Sequence, residues 1–215
     1  MISDNSPGKI VDRAAQLVAA AKRAGADHAD AVVIRARSVS VSVRLGKVEG
    51  TESSESDDFS LRVFVGRRIA SVSANAGSDP DRLAERAVAM AKVAPEDPFE
   101  QLADPSLLVK QPRDLDLFDA TQIDTARLTA DALATEEAAR AVAGVTNSGG
   151  AGASSSMGGL VLVTSSGFTG AYAATRFGRS VSAIAGEGTK TEREYGFRSR
   201  LHSPPPRPAA PPPRT

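Results

Sequence analysis

Residues 39–45 read Val-Ser-Val-Ser-Val-Arg-Leu, and residues 59–65 read Phe-Ser-Leu-Arg-Val-Phe-Val. Alternation with period two places every second side chain on one face of an extended chain, so each block predicts a half-buried β-strand. Gly66-Arg67-Arg68 then supplies a turn, and Ile69 to Ala74 returns as the second arm of a hairpin. A shorter apolar run, Ala31 to Ile34, predicts another strand ahead of these. The acidic, serine-rich stretch EGTESSESDD (residues 49–58) between the two alternating blocks reads as an exposed connection. A second β region opens at Val145 and takes in Leu160 to Val163, a turn at Ser165 to Phe168, Ala171 to Thr175, Phe177, and Val181 to Ala185.

Three helices interrupt this pattern. Ser6-Pro7 is an N-cap followed by proline at the first helical position, and Gly25 is placed to end the helix. Between them Ile10, Ala14, Leu17, Val18 and Ala21 form one apolar stripe. Ser78-Asp79-Pro80 repeats the start signal for a second helix carrying Leu83, Ala84, Ala87, Val88 and Ala91, which ends before Pro95. Pro95, Pro98, Pro105 and Pro112 forbid long regular elements, so an irregular strap follows. Thr121 to Val142 predicts the third helix. Helices and strands do not alternate regularly, which argues against a doubly wound parallel sheet. The expected class is α+β, a mixed or antiparallel sheet layered with helices as a two-layer sandwich, in one domain over residues 1–197. Residues 198–215 form a Pro/Arg-rich tail expected to be disordered, with Pro204 to Pro213 restricted to polyproline II or coil.

The 26 basic residues balance the 26 acidic ones, so no global field draws the chain to nucleic acid or an anionic membrane. There is no cysteine, which removes disulfides, thiolate metal sites and cysteine nucleophiles. No apolar run approaches the length of a membrane span, and MISDNSPGK lacks the apolar stretch of a signal peptide. A cytoplasmic location is expected. Only two histidines exist, His28 in a helix-strand connection beside Asp27 and Asp30, and His202 in the tail. Neither belongs to an HExxH motif, and no G-x-S-x-G elbow is present, so no zinc site and no serine triad is predicted. The run NSGGAGASSSMGG (Asn147 to Gly159) lacks the Lys-Ser/Thr ending and strand-to-helix context of a phosphate cradle and reads as a flexible connection. Glu49, Glu52, Glu55, Asp57 and Asp58 form an acidic cluster whose ordinary meaning is a solvated surface, and Arg67-Arg68 is an ordinary charged hairpin tip. No catalytic, cofactor-binding or metal-binding residue is assigned. What remains is binding: sheet edges can accept an extended peptide through main-chain hydrogen bonds, with the strands at Val39 to Leu45 and Leu61 to Val65 and the turn Ser165 to Phe168 as the places to look. A core role is the competing meaning of the apolar residues among them.

Three stretches resemble the N-terminal half of the TldD/PmbA family, also called modulators of DNA gyrase. They are VDRAAQLVAAAKRAGADHADAVVIRARSVSVSVRLGKVEG, FSLRVFVGRRIASVSANAGSDPDRLAERAVAMAKVAPEDPF, and GVTNSGGAGASSSMGGLVLVTSSGFTGAYAATRFGRSVSAIAGEGTKTEREYGF. VTNSGG with SSGF, and SVSAIAG through TEREY, resemble the TldE (PmbA) branch. The resemblance implies a non-catalytic subunit of a cytoplasmic metallopeptidase complex. Zinc is then expected in a TldD-type partner carrying the HExxxH motif, with a heterodimer that takes in unfolded peptides as an added strand. No catalytic residue carries over, because nothing here matches the zinc motif. The resemblance fades at RSRLH and gives way to Pro, Arg and Ala, which implies a chain that stops early, as a reading-frame shift in GC-rich DNA would leave it. A free-standing peptide-binding or scaffold module is the alternative, and an enzyme whose metal is assembled across a dimer interface is a third reading.

Overall fold

A computed structural model describes residues 7–75 and 77–204. In chain order these form α1 (Pro7–Arg23), β1 (His28–Arg44), β2 (Lys47–Val65), β3 (Arg68–Asn75), α2 (Pro80–Val93), α3 (Thr125–Arg140), β4 (Val145–Thr164), β5 (Thr169–Glu187) and β6 (Lys190–Arg200). The strands join in the order β3-β2-β1-β4-β5-β6, leaving β3 and β6 as the edges. β2 pairs antiparallel with β3, and β5 with β6. The α+β class is as expected. Ser6 and Pro205 to Pro213 lie outside the described residues.

Two expected connections are strands instead. The acidic run at 49–58 belongs to β2. Its side chains are mostly exposed, but β1 places Arg35 and Arg37 opposite it: Arg35 makes a two-pronged ion pair with Asp57, and Arg37 lies 3.6 Å from Glu55. Opposite charges across a strand pair stabilise the ladder where no apolar contact does. The glycine- and serine-rich run at 147–159 is likewise inside β4. Ala31 to Ile34 and Val39 to Leu45 merge into one strand, β1, which ends at Arg44. The last pairing reaches Arg200, so strand structure passes the expected boundary at residue 197.

Contacts divide the chain into two compact units that share the four long strands β1, β2, β4 and β5. Unit 1 comprises 1–37, 54–115 and 158–173; unit 2 comprises 38–53, 116–157 and 174–215. In unit 1 the apolar stripes of α1 (Ala14, Leu17, Val18, Ala21) and α2 (Ala84, Ala87, Val88, Ala91) join Val33, Phe59, Leu61 and Val63 in one buried cluster. Helix α2 starts as its sequence predicts, with the Asp79 side chain accepting from the Asp81 amide and proline in its first turn. One buried charge is matched there: Asp30, 5% exposed, accepts two bonds from Arg62, whose guanidinium also lies over the Phe64 ring. In unit 2, α3 lays Leu128 and Ala132 on Val41 and Val43 of β1 and Ala151 and Ala153 of β4. The helix is shorter than its pattern suggested because Asp124, accepting from the Arg127 amide, caps it three residues after Thr121.

Candidate functional site

The residues singled out from sequence resolve first. Val41, Val43, Leu61 and Val63 are core. The turn at 165–168 is internally committed: Ser165 donates its amide to the Ala29 carbonyl, its hydroxyl accepts the Ala29 amide, and the Phe168 amide bonds Thr164 Oγ1. The other face of the strand that holds Val41 and Val43, at Ser40 and Ser42, borders a surface hollow. His28 is the exposed first residue of β1 in unit 1, and His202 in unit 2 lies 3.2 Å from Asp116. Among the described residues no three His, Cys, Asp or Glu side chains gather as metal ligands, so these residues do not fit a zinc ion. No helix among them is long and apolar enough to cross a membrane.

The chemistry of interest lies in unit 2. Because Val41, Val43, Ala151, Ala153 and Val181 face α3, alternation turns Ser40, Ser42, Gly152, Ser154, Gly178, Ser180 and Ser182 to the other side of the sheet. Along these positions the side chains are small, with Arg176 and Glu52 standing beside them. Strands approach closely here: a Cβ on Gly149 would lie 2.6 Å from Ser182 Oγ and 2.9 Å from its Cβ, which requires glycine, and one on Gly178 would lie 2.7 Å from Ser154 Oγ. The register places Phe197 opposite Ser180 and Tyr195 opposite Ser182, so two aromatic rings, each more than 70% exposed, border this surface. The result is a hollow of about 510 Å³ with serines and glycines in its floor and Phe197, Arg176 and Glu52 in its wall. Beside it runs β6, an edge strand exposed along its entire length.

Two polar clusters hold this surface in shape. The β1–β2 turn consists of Leu45 and Gly46, both at positive φ (50° and 75°), the conformation of a tight hairpin turn in which leucine is strained. Glu136 of α3, only 1% exposed, accepts the Leu45 and Gly46 amides at 2.8 Å each and the Ser148 hydroxyl as well. Burial alone would raise the pKa of this carboxyl. The bonds from Ser148, Gly46 and Leu45, with the Arg140 charge, more than offset that and hold it below its ordinary value. The second cluster centres on buried Thr175 of β5. Its amide donates to Leu117 O, its hydroxyl donates to Leu201 O and accepts the Asp119 amide, and Asp119 in turn accepts the Thr121 and Ser203 amides. These bonds, led by those from Thr121 and Ser203, with His202 adding its charge, lower Asp119 to about 2. Neither Glu136 nor Thr175 was marked by sequence. A glutamate within a helical stretch reads as solvent-facing, and only the tertiary arrangement turns it inward.

Comparison with known proteins gives a consistent result. The family description "PmbA/TldA metallopeptidase domain 1" matches residues 29–91, and "PmbA/TldA metallopeptidase central domain" matches residues 118–207. The chain is 32% identical over 180 residues to the metalloprotease PmbA homolog of Haemophilus influenzae, covering 82% of this chain and 40% of that protein. It is 29% identical to metalloprotease PmbA of Escherichia coli O157:H7, covering 88% and 43%. It therefore spans about two-fifths of the length of these relatives. Its fold matches a crystal structure from Bacteroides thetaiotaomicron described as a modulator of DNA gyrase (TM-score 0.82, 21% identity, 92% of this chain and 46% of that one). TldE from Thermococcus kodakarensis matches at TM-score 0.74 and 15% identity, over 88% and 43%.

Proposed function

This chain belongs to the TldD/PmbA metallopeptidase family, and from that premise we propose that it serves as the non-catalytic, peptide-capturing part of a TldE/PmbA-like subunit. It pairs in the cytoplasm with a TldD-type subunit that supplies the zinc. One observation carries the reading: β6 is a fully exposed sheet edge lying beside a shallow glycine- and serine-lined face. An edge of this kind presents unpaired amides and carbonyls, which bind an extended chain through its backbone. Small side chains on the adjoining face leave room for the alternate side chains of such a peptide, whatever their identity. Tyr195 and Phe197 offer apolar contact at its border. Unfolded peptides have free backbone groups to contribute and folded domains do not, so the selection is for unfolded substrate.

In this reading the chain binds and orients, and no proton or metal step is assigned to its residues. The test is a cleavage assay on an unfolded, fluorescently labelled peptide, run with this chain alone, with a TldD-type subunit alone, and with both, alongside metal analysis of each. Cleavage that requires the TldD-type subunit and rises when this chain is added supports the proposal. Robust hydrolysis by this chain alone, or zinc retained by it in stoichiometric amount, overturns it.

A further inference from the structure

On the α3 side of unit 2 the strands β5 and β6 bring together charges that the surrounding protein does not balance. The register sets Arg179 directly opposite Arg198, and Phe177 opposite Arg200. Like charges facing each other across a strand pair are destabilising unless a counter-charge joins them. Asp131 of α3 is the available one, and it is already shared between Arg127 at 3.2 Å and Arg179 at 2.8 Å. Arg198 and Arg200 are exposed and have no ion pair or side-chain hydrogen bond among the described residues. The buried Nη2 of Arg179 is ion-paired with Asp131 but does not meet it in hydrogen-bond geometry, so the pair is not a two-pronged one.

These three arginines line one cavity of about 350 Å³, with Asp131, Leu128 and Phe177 also in its wall. Three positive groups against one negative leave a surplus of two in the lining. A guanidinium with unsatisfied donors matches a carboxylate, which it can grip through two parallel bonds. The apolar part of the wall asks for something a bare inorganic anion lacks, namely a side chain attached to the charge.

We propose that this cavity binds the free C-terminal carboxylate of a peptide, with Arg198 and Arg200 as its main ligands, Arg179 completing the donor set, and the terminal apolar side chain against Phe177 and Leu128. The proposal deepens the peptide-capture reading, on which its choice of ligand rests. It gives that capture a polarity: the edge strand takes backbone of any sequence, whereas this cavity recognises an end.

The test uses the full chain and a dansylated peptide, Gly-Ser-Ala-Phe, prepared with a free C-terminal carboxylate and as the C-terminal amide, followed by fluorescence anisotropy. The free acid should bind about tenfold more tightly than the amide or better. That preference should vanish in the R198Q/R200Q double variant and persist in R193Q, a charge on the opposite face of β6. Equal binding of acid and amide overturns the cavity assignment while leaving peptide capture at the edge intact. Binding of neither peptide overturns both. Inorganic phosphate that displaces the acid at lower concentration than the unlabelled acid itself overturns the choice of a carboxylate.

Discussion

Glu136 ties the turn at Leu45 and Gly46 to α3 through both of its oxygens. Three donors converge on its two oxygens, so every approach to the carboxylate comes from a hydrogen. An amide in the same place turns one N–H group toward another. Glu136→Gln is therefore expected to destabilise the fold by about 1–3 kcal/mol, read as a lower urea midpoint at pH 7. The same geometry gives a pH dependence. Because the folded pKa is depressed, the stabilisation is present above the ordinary glutamate value and is lost as pH falls below it through the folded value. The wild-type urea midpoint should decline on acidification below about pH 4.3, and the decline should be shallower in Glu136→Gln. Leu45 shows what these bonds oppose: leucine at positive φ is strained by about 1–2 kcal/mol, and the two bonds to this turn hold it there.

At the level of elements, the glycines of β4 and β5 decide how closely the strands approach, and they are not equivalent. A methyl group on Gly149 meets both Ser182 Oγ at 2.6 Å and Ser182 Cβ at 2.9 Å, so no rotation of the serine clears it. A methyl on Gly178 meets only Ser154 Oγ, which can turn away. Gly149→Ala should cost about 1–3 kcal/mol and Gly178→Ala distinctly less, measured as the difference in urea midpoints. The segment after β6 is tied by Asp119. Its pKa falls from the ordinary 3.8 to about 2, so the tether to Ser203 is fully present above about pH 4 and released as pH drops toward 2. Asp119→Asn should speed hydrogen exchange at the Ser203 amide at neutral pH; unchanged exchange would show the tether to be idle. These features also mark how far the elements were legible beforehand. The alternating blocks and helical stripes announced β1, the 59–74 hairpin, α1 and α2, because burial of one face writes a period into the residues. The acidic half of β2 and the glycine-rich half of β4 carry no such period. Their pairing depends on partners far along the chain, Arg35 and Arg37 in one case and Ser180 and Ser182 in the other.

For the molecule as a whole, the open feature is β6, with exposed Tyr195 and Phe197 on one side of an unpaired edge. Apolar rings beside free backbone groups invite strand addition by whatever chain is at hand, a second copy included. The purified chain is expected to show a sedimentation coefficient that rises with concentration, and the Tyr195→Lys/Phe197→Lys double variant should suppress the rise; an unchanged profile would mean that the edge does not mediate association. By itself the order of residues determined the α+β class, the start of α2 and the core-facing side of the central strands, since these follow from short-range periodicity and capping chemistry. It also carried the likeness to a known family. Only the tertiary structure decided that Glu136 points inward, that the serine and glycine runs form one sheet surface, and that Arg179, Arg198 and Arg200 share a cavity. The physical reason is that each of these depends on pairings between distant segments, and a strand's register is set by its neighbours rather than by its own letters.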